Sequence, residues 1–174
     1  MTTYREWTHA DVDKAAWGPG PWLDEPDKVQ FVDEATGLDC LLHRNPTGAW
    51  CGYVGVAEGH PFFGRGYSEC ALPEPCASAG DWCEHTAYAR TEVHGGLTYS
   101  GFCQDTDDES KGICHVPEPG RPHRVWWLGF DCAHAWDLIP GYQFRPGPDV
   151  YRDRTYVENE VRGLARQLAE AKSR

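Results

Sequence analysis

Basic charge is scarce in this chain. Against 27 Asp and Glu stand only 16 Lys and Arg, a formal net charge of −11 over 174 residues. The segment from Asp149 onward is near neutral, so the remainder carries the whole acidic excess. Long DNA or RNA is held by neutralising phosphates with Lys and Arg, and a surface this acidic argues against it. Anionic membrane is disfavoured for the same reason. One small anionic ligand held by a few local donors is not.

Also missing is any apolar run long enough to span a bilayer, and any basic start followed by the apolar stretch of an export signal. These absences predict a cytoplasmic protein. The eight cysteines (Cys40, Cys51, Cys70, Cys76, Cys83, Cys103, Cys114, Cys132) are then expected as reduced thiols, most of them packed as small hydrophobes. No CxxC, HExxH or HxH occurs, so the strongest zinc signatures are absent.

What is present is globular: 40% hydrophobic residues, with 8 Trp, 8 Tyr and 6 Phe, enough for one core. The 19 Gly and 13 Pro predict many short elements. Residues 1–22 read as a helix with Thr8 as N-cap and Asp11 in its first turn, stopped by a Pro/Gly turn at WGPGPW. A meander follows, with strands at 29–33, 38–44 and 49–57 joined by turns at 34–37 and NPTG (45–48). Gly52 and Gly55 in the third strand point to close backbone approach or a bulge. After a loop, a short helix is expected near 81–90, then strands at 91–102, 113–116 and 125–130. From 149 to 174 the chain turns helical, with Val157, Val161, Leu164 and Leu168 on one stripe and Glu158–Arg162 as an i,i+4 pair. The sum is a single α+β domain: a mainly antiparallel sheet over residues 23–148 with a C-terminal helix packed on it.

The acidic loop QDTDDESKG (104–112) places Asp105, Asp107 and Glu109 at the alternate positions of a calcium loop. The glycine such a loop needs next is Ser110 and its closing glutamate would be Val116, so a solvated hairpin tip is the expectation.

Two places could carry chemistry. In TEVHGGLTYS, strand parity puts Glu92, His94, Thr98 and Ser100 on one face, with two glycines that let something approach the backbone. In VWWLGFDCAHAWD, a strand apolar on both faces ends in Asp131, His134 and Asp137, spaced i, i+3, i+6 and roughly co-facial if the chain turns helically. Asp131 could orient an imidazole, and could equally cap a short turn. Convergence of the two places would gather Glu92, His94, Asp131 and His134 as a catalytic set. A ligand-binding set would add His60, Thr98, Trp127 and Asp137. His94, Asp131 and His134 are also candidate ligands for a divalent metal such as zinc. Trp126 and Trp127 point to opposite faces, so that one packs inward while the other lines a pocket. Cys83-Glu-His85, Cys114-His115 and Cys132-Ala-His134 each bring sulfur and nitrogen close together. Cys103 and Cys114 flank the acidic loop, where paired thiols or a structural zinc are both open. A Cys132 nucleophile with His94 or His134 as base is formally available but expected to be packed.

The stretches CGYVGVAEGHP, VHGGLTYSG, ICHVPEPG, WWLGFDCAHAWD and YRDRTYVENEV resemble an uncharacterised family of small proteins encoded mainly by bacteriophages and actinobacterial genomes. The resemblance spans most of residues 15–168, with HGGLTY and GFDCAH its most specific motifs. It implies a cytoplasmic protein made in an infected bacterium and carries over no catalytic residues. One position departs from the pattern, which has glycine where this chain has Trp136. Three functions compete. The first is a small-molecule binder that sequesters a nucleotide-derived host defence signal. The second is a metal-assisted or His/Asp hydrolase of a small phosphoester or nucleotide. The third is a protein-interaction module. Small binders often place pockets between subunits, so a homo-oligomer is among the expectations.

Overall fold

Two left-handed glycines set the meander. Gly37 (φ +72°) and Gly48 (φ +97°) close its hairpins in a conformation that side chains resist. Asx-type bonds support both turns: Asp33 Oδ2 accepts from the Thr36 hydroxyl at 2.8 Å, and Asn45 Oδ1 from the Thr47 and Ala49 N–H groups at 3.0 Å.

The structure, a computed structural model, describes residues 1–9, 11–71, 83–104, 106–142 and 147–171. Its strands are β1 (Arg5–Trp7), β2 (Lys28–Val32), β3 (Asp39–Arg44), β4 (Trp50–Val56), β5 (Tyr99–Phe102) and β6 (Trp126–Asp131). They form one antiparallel sheet in the order β1-β2-β3-β4-β6-β5. The helices are α1 (Ala87–Arg90) and α2 (Arg154–Ala171). This is the α+β architecture that the sequence predicts.

The 3.6-residue stripe of α2 buries Val157, Val161, Leu164, Ala165 and Leu168 against Cys40, Leu42, Trp50, Val54, Leu128 and Phe130. Each fully buried Val or Leu there contributes roughly 1.5–3 kcal/mol of transfer free energy. Gly52 lets the helix sit that close, because a Cβ there would lie 2.5 Å from Val161 Cγ2. The expected Glu158–Arg162 pair forms at 2.9 Å. On the opposite face Leu41, Cys51, Tyr53, Ile113, Val125 and Trp127 make a second core.

A buried ionic network ties the N-terminal region, the meander and the approach to α2 together. Arg44 is 1% exposed and binds Asp27 at 3.1 Å and Glu25 at 2.8 Å. Glu25 also accepts from Tyr151 Oη, Trp50 Nε1 and the Arg154 N–H. Burial raises the cost of the Glu25 charge, yet these donors together hold its carboxyl below the usual range. Every charge is paired and hydrogen-bonded, the condition under which buried ions are tolerated.

Several expected elements differ. The N-terminal helix is replaced by β1, which pairs with β2, and by a 3₁₀ turn at Lys14–Trp17 capped by Asp13 rather than Thr8. A segment stopped at Gly18 and Pro21 is too short to repay helix nucleation, whereas edge pairing satisfies its backbone directly. Of the strand expected at 91–102 only Tyr99–Phe102 forms, since Gly95 (φ +67°) and Gly96 (φ +81°) turn the chain before it. No strand forms at 113–116, although the Gln104 N–H still donates to the Ile113 carbonyl at 3.1 Å. The helix near 81–90 is confined to Ala87–Arg90, N-capped by Thr86 at 2.9 Å. Positions 81 and 82, like Cys76 and Asp105, lie outside the described residues.

Candidate functional site

Antiparallel pairing of β5 with β6 puts the start of one beside the end of the other, with Tyr99 opposite Gly129. The two polar places in the sequence therefore meet at one end of the sheet. Thr98 N–H donates to the Gly129 carbonyl at 2.9 Å, and its hydroxyl donates to Asp131 Oδ2 at 2.8 Å. Asp131 Oδ1 accepts from the Ala133 N–H at 3.0 Å, so this carboxylate does cap a turn while also facing the site.

Beyond Asp131 the chain does not continue as a helix. Residues His134 to Asp137 form a tight turn closed by Asp137 N–H to His134 O at 3.1 Å. Its third residue, Trp136, has φ +76°, the only positive φ outside glycine among the described residues. A turn with left-handed backbone at that position alone is type II, which favours glycine there. Trp136 is 67% exposed, so no packing of its indole accounts for the strain.

Asp137 is the hub. Its side chain is fully buried; Oδ2 accepts from His94 Nε2 at 2.7 Å and from the His134 N–H at 3.0 Å, and Oδ1 from Arg152 Nε at 2.9 Å. Burial alone would push its carboxyl up, but those three donors outweigh it and hold the group below the usual carboxylate range. Because the carboxylate can only accept, His94 carries its proton on Nε2. Nδ1 then accepts from Tyr156 Oη at 2.9 Å. Burial, reinforced by the charge of Glu160, pushes the Tyr156 hydroxyl up and keeps it a donor. Arg152 also lies over the Tyr156 ring, 4.8 Å from its centroid.

The two glycines after His94 do admit something close, and it is the protein itself. A Cβ on Gly95 would fall 2.0 Å from His134 Nε2, and one on Gly96 2.7 Å from Tyr88. The HGG and DCAH stretches are thus locked face to face, with the His94 and His134 rings 5.6 Å apart. His134 Nε2 is buried over Gly95 with no hydrogen-bond partner among the described residues, and Asp131 Oδ1 is 3.6 Å away. Beside His94, an open cleft of about 430 Å³ is lined by Glu92, Val93, Glu160 and Gln167. Glu160 accepts from the His94 N–H at 2.8 Å, while Gln167 binds the backbone of Glu92.

Of the residues singled out from sequence, His94, Thr98, Asp131, His134 and Asp137 come together. Glu92 sits on the cleft rim, exposed, and is no longer on a strand face with His94. Trp127 is a correction: it is 0% exposed in the second core, its indole N–H on Cys103 Sγ at 3.4 Å, while Trp126 is the half-buried member of the pair. His60 is another. Its Nε2 reaches the Leu168 carbonyl at 2.9 Å and its Nδ1 accepts from the Phe62 N–H, so it ties a loop to α2 away from this site. Burial pushes the Cys132 thiol far up, Asp137 adding to it, so Cys132 is a packed thiol and no nucleophile. The sequence reading missed Tyr156, Arg152 and Glu160, which sit on or beside α2 and are far from the motif in the chain. It noted Trp136 without reading a positive φ there.

Three side-chain donors close enough to hold one metal ion occur elsewhere among the described residues. Cys103 Sγ, Cys114 Sγ and a His115 nitrogen all lie within 4.8 Å of one another. The two sulfurs are at bonding distance, with Cα atoms 4.5 Å apart. His94, with one ring nitrogen on Asp137 and the other on Tyr156, is engaged before any ion arrives.

No family model, curated protein or solved structure matches this chain.

Proposed function

We propose that the protein binds a small polar ligand of nucleotide type, one with a planar ring and an anionic group, at the His134–Asp137 turn, and holds it without turning it over. The observation that carries this reading is Trp136: a solvent-facing indole on a left-handed backbone beside the Asp137 hub. Strain of that kind persists where surrounding structure over-determines it, and clusters at ligand clamps. Around it stand the groups a ringed, anionic ligand needs. The indole offers a stacking face. Arg152 uses Nε on Asp137, leaving its terminal nitrogens as charged donors. His134, Asp131 and Thr98 give further polar contacts. A single local cation suits one small anion, in keeping with a chain too acidic for a polymer of phosphates.

Holding is favoured over hydrolysis because the His94 ring has both nitrogens engaged and the nearby thiol, Cys132, is packed. Sequestering a nucleotide-derived signal is the action such a site serves. The test is to denature natively purified protein, identify any released small molecule by mass spectrometry, and titrate it back with a panel of nucleotides. Binding with the ligand mass unchanged is expected, and Trp136→Ala should weaken it at least about fivefold, since one base–aromatic stack is worth about 1–3 kcal/mol. Absence of any bound nucleotide, or full affinity in Trp136→Ala, sinks the reading. Consumption of the ligand moves it to the hydrolase.

A further inference from the structure

We infer that Cys103, Cys114 and His115 form a binding site for zinc or a similar thiophilic divalent ion, in competition with a Cys103–Cys114 disulfide. The case rests on the histidine. His115 is 5% exposed, and its Nε2 lies 3.1 Å from the Pro122 carbonyl, which can only accept. The proton is therefore on Nε2, and Nδ1 presents a lone pair to Cys103 Sγ at 3.7 Å. A ligating histidine whose other ring nitrogen donates to a backbone carbonyl is the arrangement that metal sites use to fix the tautomer.

With the two sulfurs joined, that lone pair faces a sulfur with no proton to offer. It is then an acceptor on a nearly buried ring without a donor, which costs free energy. A metal ion removes the deficit. Tetrahedral zinc with Zn–S of about 2.3 Å and Zn–N of about 2.0–2.1 Å sets S···N at roughly 3.6 Å, close to the spacing present. Trp127 Nε1–H donates to Cys103 Sγ at 3.4 Å, an outer hydrogen bond that favours thiolate. All three residues line one cleft of about 240 Å³, together with Gln104, Thr106, Glu109 and the two cations Lys28 and Lys111. Water takes the fourth position from that cleft.

The chemistry balances simply. An external thiol or phosphine delivers two electrons, and with two protons the disulfide becomes two thiols. Binding of M²⁺ then releases both protons, leaving two metal–sulfur bonds and one metal–nitrogen bond. The site is separate from the His134–Asp137 turn, so either proposal can fail while the other stands.

The experiment loads full-length protein with Co²⁺ after phosphine reduction and reads the sulfur-to-cobalt charge-transfer band, with zinc counted by elemental mass spectrometry. One ion per chain is expected from this site, lost in Cys103→Ser and in His115→Gln and kept in a Cys70→Ser/Cys83→Ser variant. In wild-type protein, zinc should slow alkylation of Cys103 and Cys114 at least tenfold, a readout independent of how the variants fold. The inference is overturned if reduced wild-type protein binds no ion, if binding survives Cys103→Ser/Cys114→Ser, or if zinc leaves alkylation of these two thiols unchanged.

Discussion

Replacing Trp136 by glycine should stabilise the protein while weakening its ligand binding. Left-handed backbone costs an L-residue about 1–2 kcal/mol, and Trp136 at φ +76° bears that cost. Glycine removes it, but the freer unfolded chain takes back about 0.4–1 kcal/mol. The indole is 67% exposed, so little buried surface is lost. The net expectation is a gain of about 0.5–1 kcal/mol, or roughly 1–4 °C in Tm for a chain of this size. Trp136→Ala is the control: it deletes the same indole but keeps a Cβ at the strained position, so its stability should stay within about 0.5 kcal/mol of wild type. Urea unfolding of both, at constant m-value, isolates the backbone contribution. Should the glycine variant prove no more stable than the alanine variant, Trp136 is not strained and the argument that its strain marks a site falls with it. Both variants lose the stacking face and should lose affinity alike. A purely structural tryptophan would move stability and affinity in the same direction.

Gly95→Ala should destabilise by more than about 2 kcal/mol, combining φ +67° with a Cβ 2.0 Å from His134 Nε2. His134→Ala should rescue the steric part alone, which a double-mutant cycle in urea measures. Gly52→Ala, whose Cβ would meet Val161 Cγ2 at 2.5 Å, should cost about 1–3 kcal/mol and be partly relieved by Val161→Ala. A third expectation concerns pH. Burial, with the charges of His9 and Lys28 adding to it, pulls His43 down to about 4, so the fold favours its neutral form. The unfolded chain takes up a proton near pH 6.5, so stability is full above that value and declines as pH falls toward 4. The loss is about 3 kcal/mol at most. His43→Gln should flatten the slope between pH 6.5 and 4, and an unchanged slope would refute this account.

Much of the fold was legible because it depends on short-range rules. Turn glycines and the Asx residues before them gave the meander, and the spacing of Val157, Val161, Leu164 and Leu168 gave a helix with one buried face. The site was half legible. His94, Asp131 and His134 stood out as polar groups beside core strands, and antiparallel pairing of β5 and β6 does bring them together. Strand parity over 91–102 misled, because it treats the chain as straight and Gly95–Gly96 turn it. Trp127 misled for a related reason: parity says that two neighbours face opposite ways but not which face has room. The answer came from Leu41, Tyr53 and Ile113, which close over Trp127 from other segments.

By itself, then, the sequence determined the class of the fold, the buried stripe of α2, the acidic excess of the chain and the polar character of one sheet end. Only the tertiary structure decided which groups share a proton or a charge. Asp137 meets His94 and Arg152 across 43 and 15 residues, and Tyr156 reaches His94 across 62. Local propensity fixes the conformation of a few residues at a time. A hydrogen bond between distant side chains is set by how sheet and helix pack, and that is a property of the whole chain.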